Sequence, residues 1–256
     1  NDMGNGWTMT DSVTFASSGE LDNGMGIAVS LELDGNVMDS RSITITTDGM
    51  GTITFSGDGS SGPIGSWDDM TPTANEEAHG STIAGTISAP VSGAGTNDIF
   101  VYDYTVMDGL ALKASYTPSD GTSEVESSSD YGLKYTGIEG LTIGAGAGED
   151  NSAAASIDLT NMYVKYTMDA FSVGYQASEA DSETANADKD FQAIGLSYAV
   201  SEDLSVSINS STIEFENSSL SDQEATGFGI SYTMGSMTLA GTHNSVDNVA
   251  GTSTSD

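Results

Sequence analysis

The stretch Phe171-Ser-Val-Gly-Tyr-Gln176, answered downstream by Ile194-Gly-Leu-Ser-Tyr-Ala-Val200, carries its large apolar side chains at every second residue. Successive side chains of an extended chain point to opposite faces, so Phe171, Val173 and Tyr175 share one face while Ser172, Gly174 and Gln176 share the other. Helical spacing fits neither run as well. The same alternation extends in both directions. Leu204, Val206 and Ile208 repeat it, as do Phe228, Ile230, Tyr232 and Met234; earlier come Val13 with Phe15, Ile27 through Leu33, Ile43 with Ile45, Ile53 with Phe55, and Leu110 with Leu112.

The connections between these runs alternate as well. Very short ones, rich in Asp, Gly and Ser as tight hairpins require, fall at Thr47-Asp48-Gly49, Met107-Asp108-Gly109, Gly137 to Gly140, Met168-Asp169-Ala170, Ser201-Glu202-Asp203 and Met234-Gly235-Ser236. Longer polar ones lie between them: Pro118 to Ser128, Glu149 to Ser156, Ser178 to Asp188, Glu214 to Asp222, and the end from Val246. One edge of the sheet therefore has tight turns and the other long loops. Strands are expected near 6–17, 24–34, 40–47, 51–57, 97–106, 109–117, 129–136, 141–148, 157–168, 170–177, 189–200, 203–213, 223–234 and 236–246, fourteen in all.

Composition narrows what such a sheet can be. Five Lys/Arg against 38 Asp/Glu give a formal charge of −33 over 256 residues, which opposes nucleic-acid binding because phosphate recognition needs clustered cations. There is no cysteine, hence neither a disulfide framework nor a thiolate metal site. No stretch approaches the ~20 apolar residues of a spanning helix. If the chain enters a membrane it does so with strands, and strands can span only as a closed barrel that pairs every backbone polar group. Long loops at one edge, tight turns at the other and a polar face of Ser, Thr, Gly and Asn are the marks of a transmembrane barrel with a wet lumen. The competing expectation is a secreted or surface-layer β-rich structural protein, since soluble sheets also alternate. Nothing in the composition shifts abruptly enough to divide residues 1–256 into more than one domain.

One connection stands apart. From Asp58 to Thr96 the alternation stops, and three of the four prolines, Pro63, Pro72 and Pro90, gather there with Trp67 and many Gly and Ser. A structureless connection of this length inside a compact protein is usually functional or disordered. Its acids, Asp58, Asp68, Asp69, Glu76 and Glu77, point to a function.

Ser40-Arg-Ser-Ile-Thr-Ile-Thr-Thr-Asp-Gly-Met-Gly-Thr-Ile-Thr-Phe55, the long loop after it, and segments such as Gly132-Leu-Lys-Tyr135 and Gly195-Leu-Ser-Tyr198 carry a family likeness. On these the chain resembles the general diffusion porins of alphaproteobacteria, the sixteen-stranded trimeric type. The resemblance implies a single outer-membrane β-barrel for passive diffusion of small hydrophilic solutes and ions, with residues 58–96 as a constriction loop folded into the lumen. In that family the loop follows the fifth strand, whereas here it follows the fourth; the resemblance thus implies a chain lacking the first and last strands, the alternative being a complete fourteen-stranded barrel. It also implies a homotrimer, with contacts expected near the missing closure, surrounded by lipid bilayer and lipopolysaccharide. In such porins basic wall residues face the loop acids across the channel. Lys113, Lys134 and Lys165 each oppose apolar neighbours on their strands and so are expected to face the lumen, whether as that basic wall or merely as solvated side chains. The excess of acid favours cations over anions.

Enzyme chemistry finds no foothold. His79 and His243 are far apart and lack ligand-like neighbours, so neither a metal centre nor a general base is expected, and no cofactor is. The run Gly144-Ala-Gly-Ala-Gly148 leads into Glu149 and Asp150, which would repel phosphate; small residues on a strand face explain it better. The acids Glu179, Asp181, Glu183, Asp188 and Asp190 of one expected outer loop could hold calcium loosely and bridge it to anionic lipid.

Overall fold

A computed structural model describes residues 11–58, 60–78, 83, 86–87, 97–119, 121 and 125–252. Fourteen strands form one antiparallel sheet in chain order: β1 (Ser12–Glu20), β2 (Gly26–Asp34), β3 (Val37–Thr47), β4 (Gly51–Asp58), β5 (Ile99–Met107), β6 (Leu110–Thr117), β7 (Ser128–Ile138), β8 (Leu141–Asp150), β9 (Ile157–Met168), β10 (Phe171–Ser182), β11 (Lys189–Ala199), β12 (Leu204–Phe215), β13 (Gln223–Met234) and β14 (Met237–Asp247). Among the described residues β1 and β14 end this order and share no ladder. No described helix is long and apolar enough to cross a membrane.

Each expected strand is present among the described residues, residues 6–10 of the first lying outside them, but several run further than the apolar alternation does. β10 continues to Ser182, where a polar loop was expected from Ser178, because Ser178–Ser182 pair with Asn161 back to Ile157 through the backbone ladder. Backbone pairing needs no apolar side chains, so a strand can rise past the apolar band into water without any change of hydrogen bonding. Glu179, Asp181 and Asp190 therefore stand on strands, not in a loop.

The two faces of the sheet are inverted relative to a soluble sandwich. Met162, Ile194, Ile208 and Leu239 turn 57, 55, 59 and 56% of their surface outward. On the opposite face polar side chains are buried: Asn161 and Asn209, the immediate neighbours of Met162 and Ile208, and likewise Gln176 and Gln223. A water-soluble domain does not leave so much contiguous apolar surface uncovered; a barrel whose outer face lies in hydrocarbon does. Near the tight turns this outer face is aromatic, with Phe171 and Tyr198 at 4.4 Å between ring centroids and Tyr166 and Tyr232 close by in the same register. That is where amphipathic rings meet a membrane interface.

The two rims differ as expected. At one rim the connections are as short as Asp108-Gly109, Glu139-Gly140, Asp169-Ala170 and Gly235-Ser236. These turns need positive φ, supplied by Gly109 at 76° and by Asp169 at 51°. The opposite rim carries the connections after β6, β8, β10 and β12, and the long one after β4. An exception is the two-residue link at Gly35 and Asn36 between β2 and β3.

Candidate functional site

The described part of the connection after β4, residues 60–78 with 83, 86 and 87, turns inward and runs along the inner wall as a strap, the rest of the expected loop 58–96 beyond Asp58 lying outside the described residues. It opens with a single helical turn, α1 (Pro63–Ser66), packed against β6 to β9. Pro63 suits a first helical position because its missing N–H would be unpaired there anyway. The Ile64 amide donates to Asp130 Oδ2 at 3.1 Å, and Ser115 Oγ donates to Asp130 Oδ1, so one buried carboxylate of β7 fastens the turn. Trp67 follows, edge-on to Tyr163 at 5.8 Å. Its ring fits only because Gly132 has no side chain, since a Cβ there would strike the indole, and it also passes over Gly146. The Gly144-Ala-Gly-Ala-Gly148 run thereby acquires its reason: Gly144, Gly146 and Gly148 face inward and leave space for Tyr163, for Ile64 with Trp67, and for Asp130.

Beyond Trp67 the strap hangs on wall amides and hydroxyls. Asn161 Nδ2 donates to the Trp67 carbonyl at 2.5 Å. Gln176 Nε2 donates to the carbonyls of Trp67 and Asp68, each at 2.8 Å, while its Oε1 accepts from the Met70 amide at 2.8 Å. Pro72 lies over Gly174 and Gly195. Ser207 Oγ accepts from the Ala74 amide at 2.9 Å, Asn75 Nδ2 donates to Thr242 Oγ1 at 2.7 Å, and Asn209 Oδ1 accepts from the Ala78 amide at 3.1 Å. Gln223 clasps Ile87 from both sides, accepting from its amide at 3.1 Å and donating to its carbonyl at 2.9 Å. Small apolar contacts seal the gaps, as where Ile87 meets Phe191, Ala193 and Ile213.

The expected site residues fall along this path in three groups. Asp58 stays at the root, where β4 ends, its carbonyl accepting from Ser56 Oγ at 2.6 Å. Asp68 is half-buried and Asp69 exposed, both beside Gln176. Glu76 is exposed and Glu77 buried, next to the Ala78–Asn209 contact. The strap thus separates Asp58 from the other four. Lys113, Lys134 and Lys165 lie on the inner face of β6, β7 and β9, in register with Gly132, Gly144 and Gly174 respectively. Lys113 Nζ donates to Ser66 Oγ at 3.0 Å, which puts it on the strap's own side of the barrel. Arg41, the remaining base near the strap's roots, lies 3.8 Å from Asp98.

His79 lies outside the described residues, and His243 is exposed on β14 opposite Phe228, away from the acids. Among the described residues no three His, Cys, Asp or Glu side chains gather as metal ligands would. Sequence reasoning missed the anchors Asp130, Asn161, Gln176, Ser207, Asn209 and Gln223. Their one signal is an amide, hydroxyl or carboxylate at an inward position of an otherwise small-residue face.

Comparison with known proteins agrees with this geometry. No curated protein sequence matches the chain. Among solved structures the fold is similar to the anion-selective porin from Comamonas acidovorans, at 11% identity and TM-score 0.68, covering 94% of this chain and 79% of that one. It is similar too to OmpT, an outer membrane protein of Vibrio cholerae, at 13% identity and TM-score 0.70, covering 93% and 79%. A trimer form of Vibrio cholerae OmpT gives 13% identity and TM-score 0.69, covering 93% and 80%. A family model described as Gram-negative porin matches residues 1–252, and the chain therefore belongs to the Gram-negative porins, proteins of the bacterial outer membrane.

Proposed function

We propose that the chain is a passive, cation-preferring diffusion pore for small hydrophilic solutes, carrying out no reaction. The observation that bears the most weight is the inverted sheet with an acidic strap fixed to its polar inner face. A strap narrows the lumen and sets a size limit; acids exposed at the narrowing, Asp69 and Glu76 above all, lower the energy of cations and raise that of anions. Residues 58–96 serve as the constriction loop of one barrel domain. The trimer form of OmpT supports a homotrimer; the sequence resemblance alone suggests the sixteen-stranded alphaproteobacterial type, embedded in lipid and lipopolysaccharide with the tight turns toward the periplasm. A soluble or surface-layer sheet is the weaker reading, because its apolar outer face would stand in water.

Reconstitution into planar bilayers tests the proposal. Stepwise conductance with a reversal potential favouring potassium over chloride is expected, together with sugar-size-dependent swelling of liposomes. A protein that stays folded and monodisperse without detergent and opens no conductance would refute it.

A further inference from the structure

All five bases of the chain have described positions, and none stands across the lumen from the strap. Lys113, Lys134 and Lys165 share the strap's side, and Lys189 begins β11 on the inner face with Phe191. Arg41 sits opposite Leu31 on the outward face. Ahead of Lys113 the sequence contains no other base, so β1, β2 and β4 have none.

The inner face of these first strands is instead hydroxylated. The register aligns Ser30 with Ser42, Thr44 with Thr54, and Ser18 with Ala28 on one face, and the Thr44 and Thr54 hydroxyls hydrogen-bond at 3.1 Å. Together Ser18, Ser30, Ser42 and Thr44 border an open cleft of about 300 Å³. The hydrogen bonds described above tie the strap to β6, β7, β9, β10, β12, β13 and β14, and none of the described strap residues lines this cleft. The charges on this part of the inner face, such as Glu20 in register with Gly26, Glu32 with Ser40 and Asp103 with Thr52, are acidic.

We propose that the hydroxyl wall of β1–β4 is a specificity-determining face of the pore, acting by being free of bases. Along β1–β4 the field of the strap acids then meets no positive counter-charge, and hydroxyl oxygens solvate a cation on the side away from the acids. An anion meets no compensating base there. This rests on the pore reading above and goes beyond it by assigning residues to the wall opposite the acids.

The absence of cysteine makes the test direct, because one introduced thiol is the sole labelling site. A Ser30→Cys variant is modified in planar bilayers with a cationic or an anionic thiosulfonate reagent, with Ser30→Lys and Lys113→Gln measured in parallel. Attaching the cationic group, or Ser30→Lys, is expected to lower the potassium-to-chloride permeability ratio several-fold. The anionic reagent should leave it equal or higher, and Lys113→Gln should change it much less than Ser30→Lys. If the Ser30 variants leave the reversal potential unchanged while Asp69→Asn with Glu76→Gln shifts it, the hydroxyl wall has no such role and the pore reading stands. If the unmodified protein opens no conductance, it is the pore reading that fails.

Discussion

Gln176 shows how much one inward side chain can hold. It has no exposed surface, and its amide engages three backbone groups of the strap, the carbonyls of Trp67 and Asp68 and the amide of Met70. Removing a buried partner leaves the others unpaired at a cost of about 1–3 kcal/mol, well above the ~1 kcal/mol net value of an ordinary hydrogen bond. Gln176→Leu keeps the volume and abolishes the bonds, so Asp68 and Asp69 should lose their fixed place. The expected outcome is a noisier, less cation-selective channel with the strand ladders intact, read as single-channel current variance and reversal potential against an unchanged far-ultraviolet spectrum. Gly132→Val should act on the same segment by a different route, expelling Trp67 from its notch. The sequence displays Gln176 on the polar face of an alternating strand, but its partners lie 106 to 109 residues away. Alternation is a local signal and carries no information about which distant backbone an inward amide will meet.

At the scale of the strand, the position of a charge relative to the apolar band decides what it does. Val173 points outward at 44% exposure between Tyr166 and Leu196, whereas Ser172 points inward. An arginine at a lipid-facing position costs about 2–4 kcal/mol near the bilayer midplane. Val173→Arg should therefore cut the folded yield in detergent or liposomes sharply, while Ser172→Arg, which can be solvated in the lumen, should fold; heat-modifiable mobility on a gel reports both. Above the band the logic reverses. Glu179 faces Asp190, Asp190 faces Glu214, and Glu149 and Asp181 both face Asp158, all on the outer surface. Like charges directly opposite one another are destabilising, on the order of 0.2–1 kcal/mol per pair. Asp190→Lys converts two such repulsions into attractions and should raise the thermal midpoint in detergent. Millimolar calcium should raise the midpoint of the original protein by more than that of the variant, as expected of loose association with the acids. The existence of each strand was legible because the apolar period is repeated and strong. The upward continuation of β10 to Ser182 was not, since its polar outer residues look like a loop when backbone pairing is invisible.

Over the whole molecule, 38 acids against five bases mean that selectivity depends on where the acids are more than on how many there are. At ~0.15 M salt exposed charges are screened beyond about 8 Å, but charges in a narrow, low-dielectric constriction are screened far less. Asp181 and Glu183 lie at the rim, in open solvent. Asp68, Asp69, Glu76 and Glu77 lie on a strap fixed to the wall, two of them exposed and two wholly or partly buried. Neutralising these four to Asn or Gln should lower the preference for potassium over chloride in planar bilayers, and by more at low salt than at high salt. Within the group, Asp69→Asn and Glu76→Gln should account for most of the change, because an exposed carboxylate meets the permeating ion while the buried Glu77 does not. Removing Asp181 and Glu183 should move the reversal potential far less. Lys134→Gln should act in the opposite sense, since it deletes a positive charge from the inner wall and leaves the acids in place. A reversal potential that ignored the four strap substitutions while conductance persisted would put the narrowest point elsewhere, even with every strand in its present place.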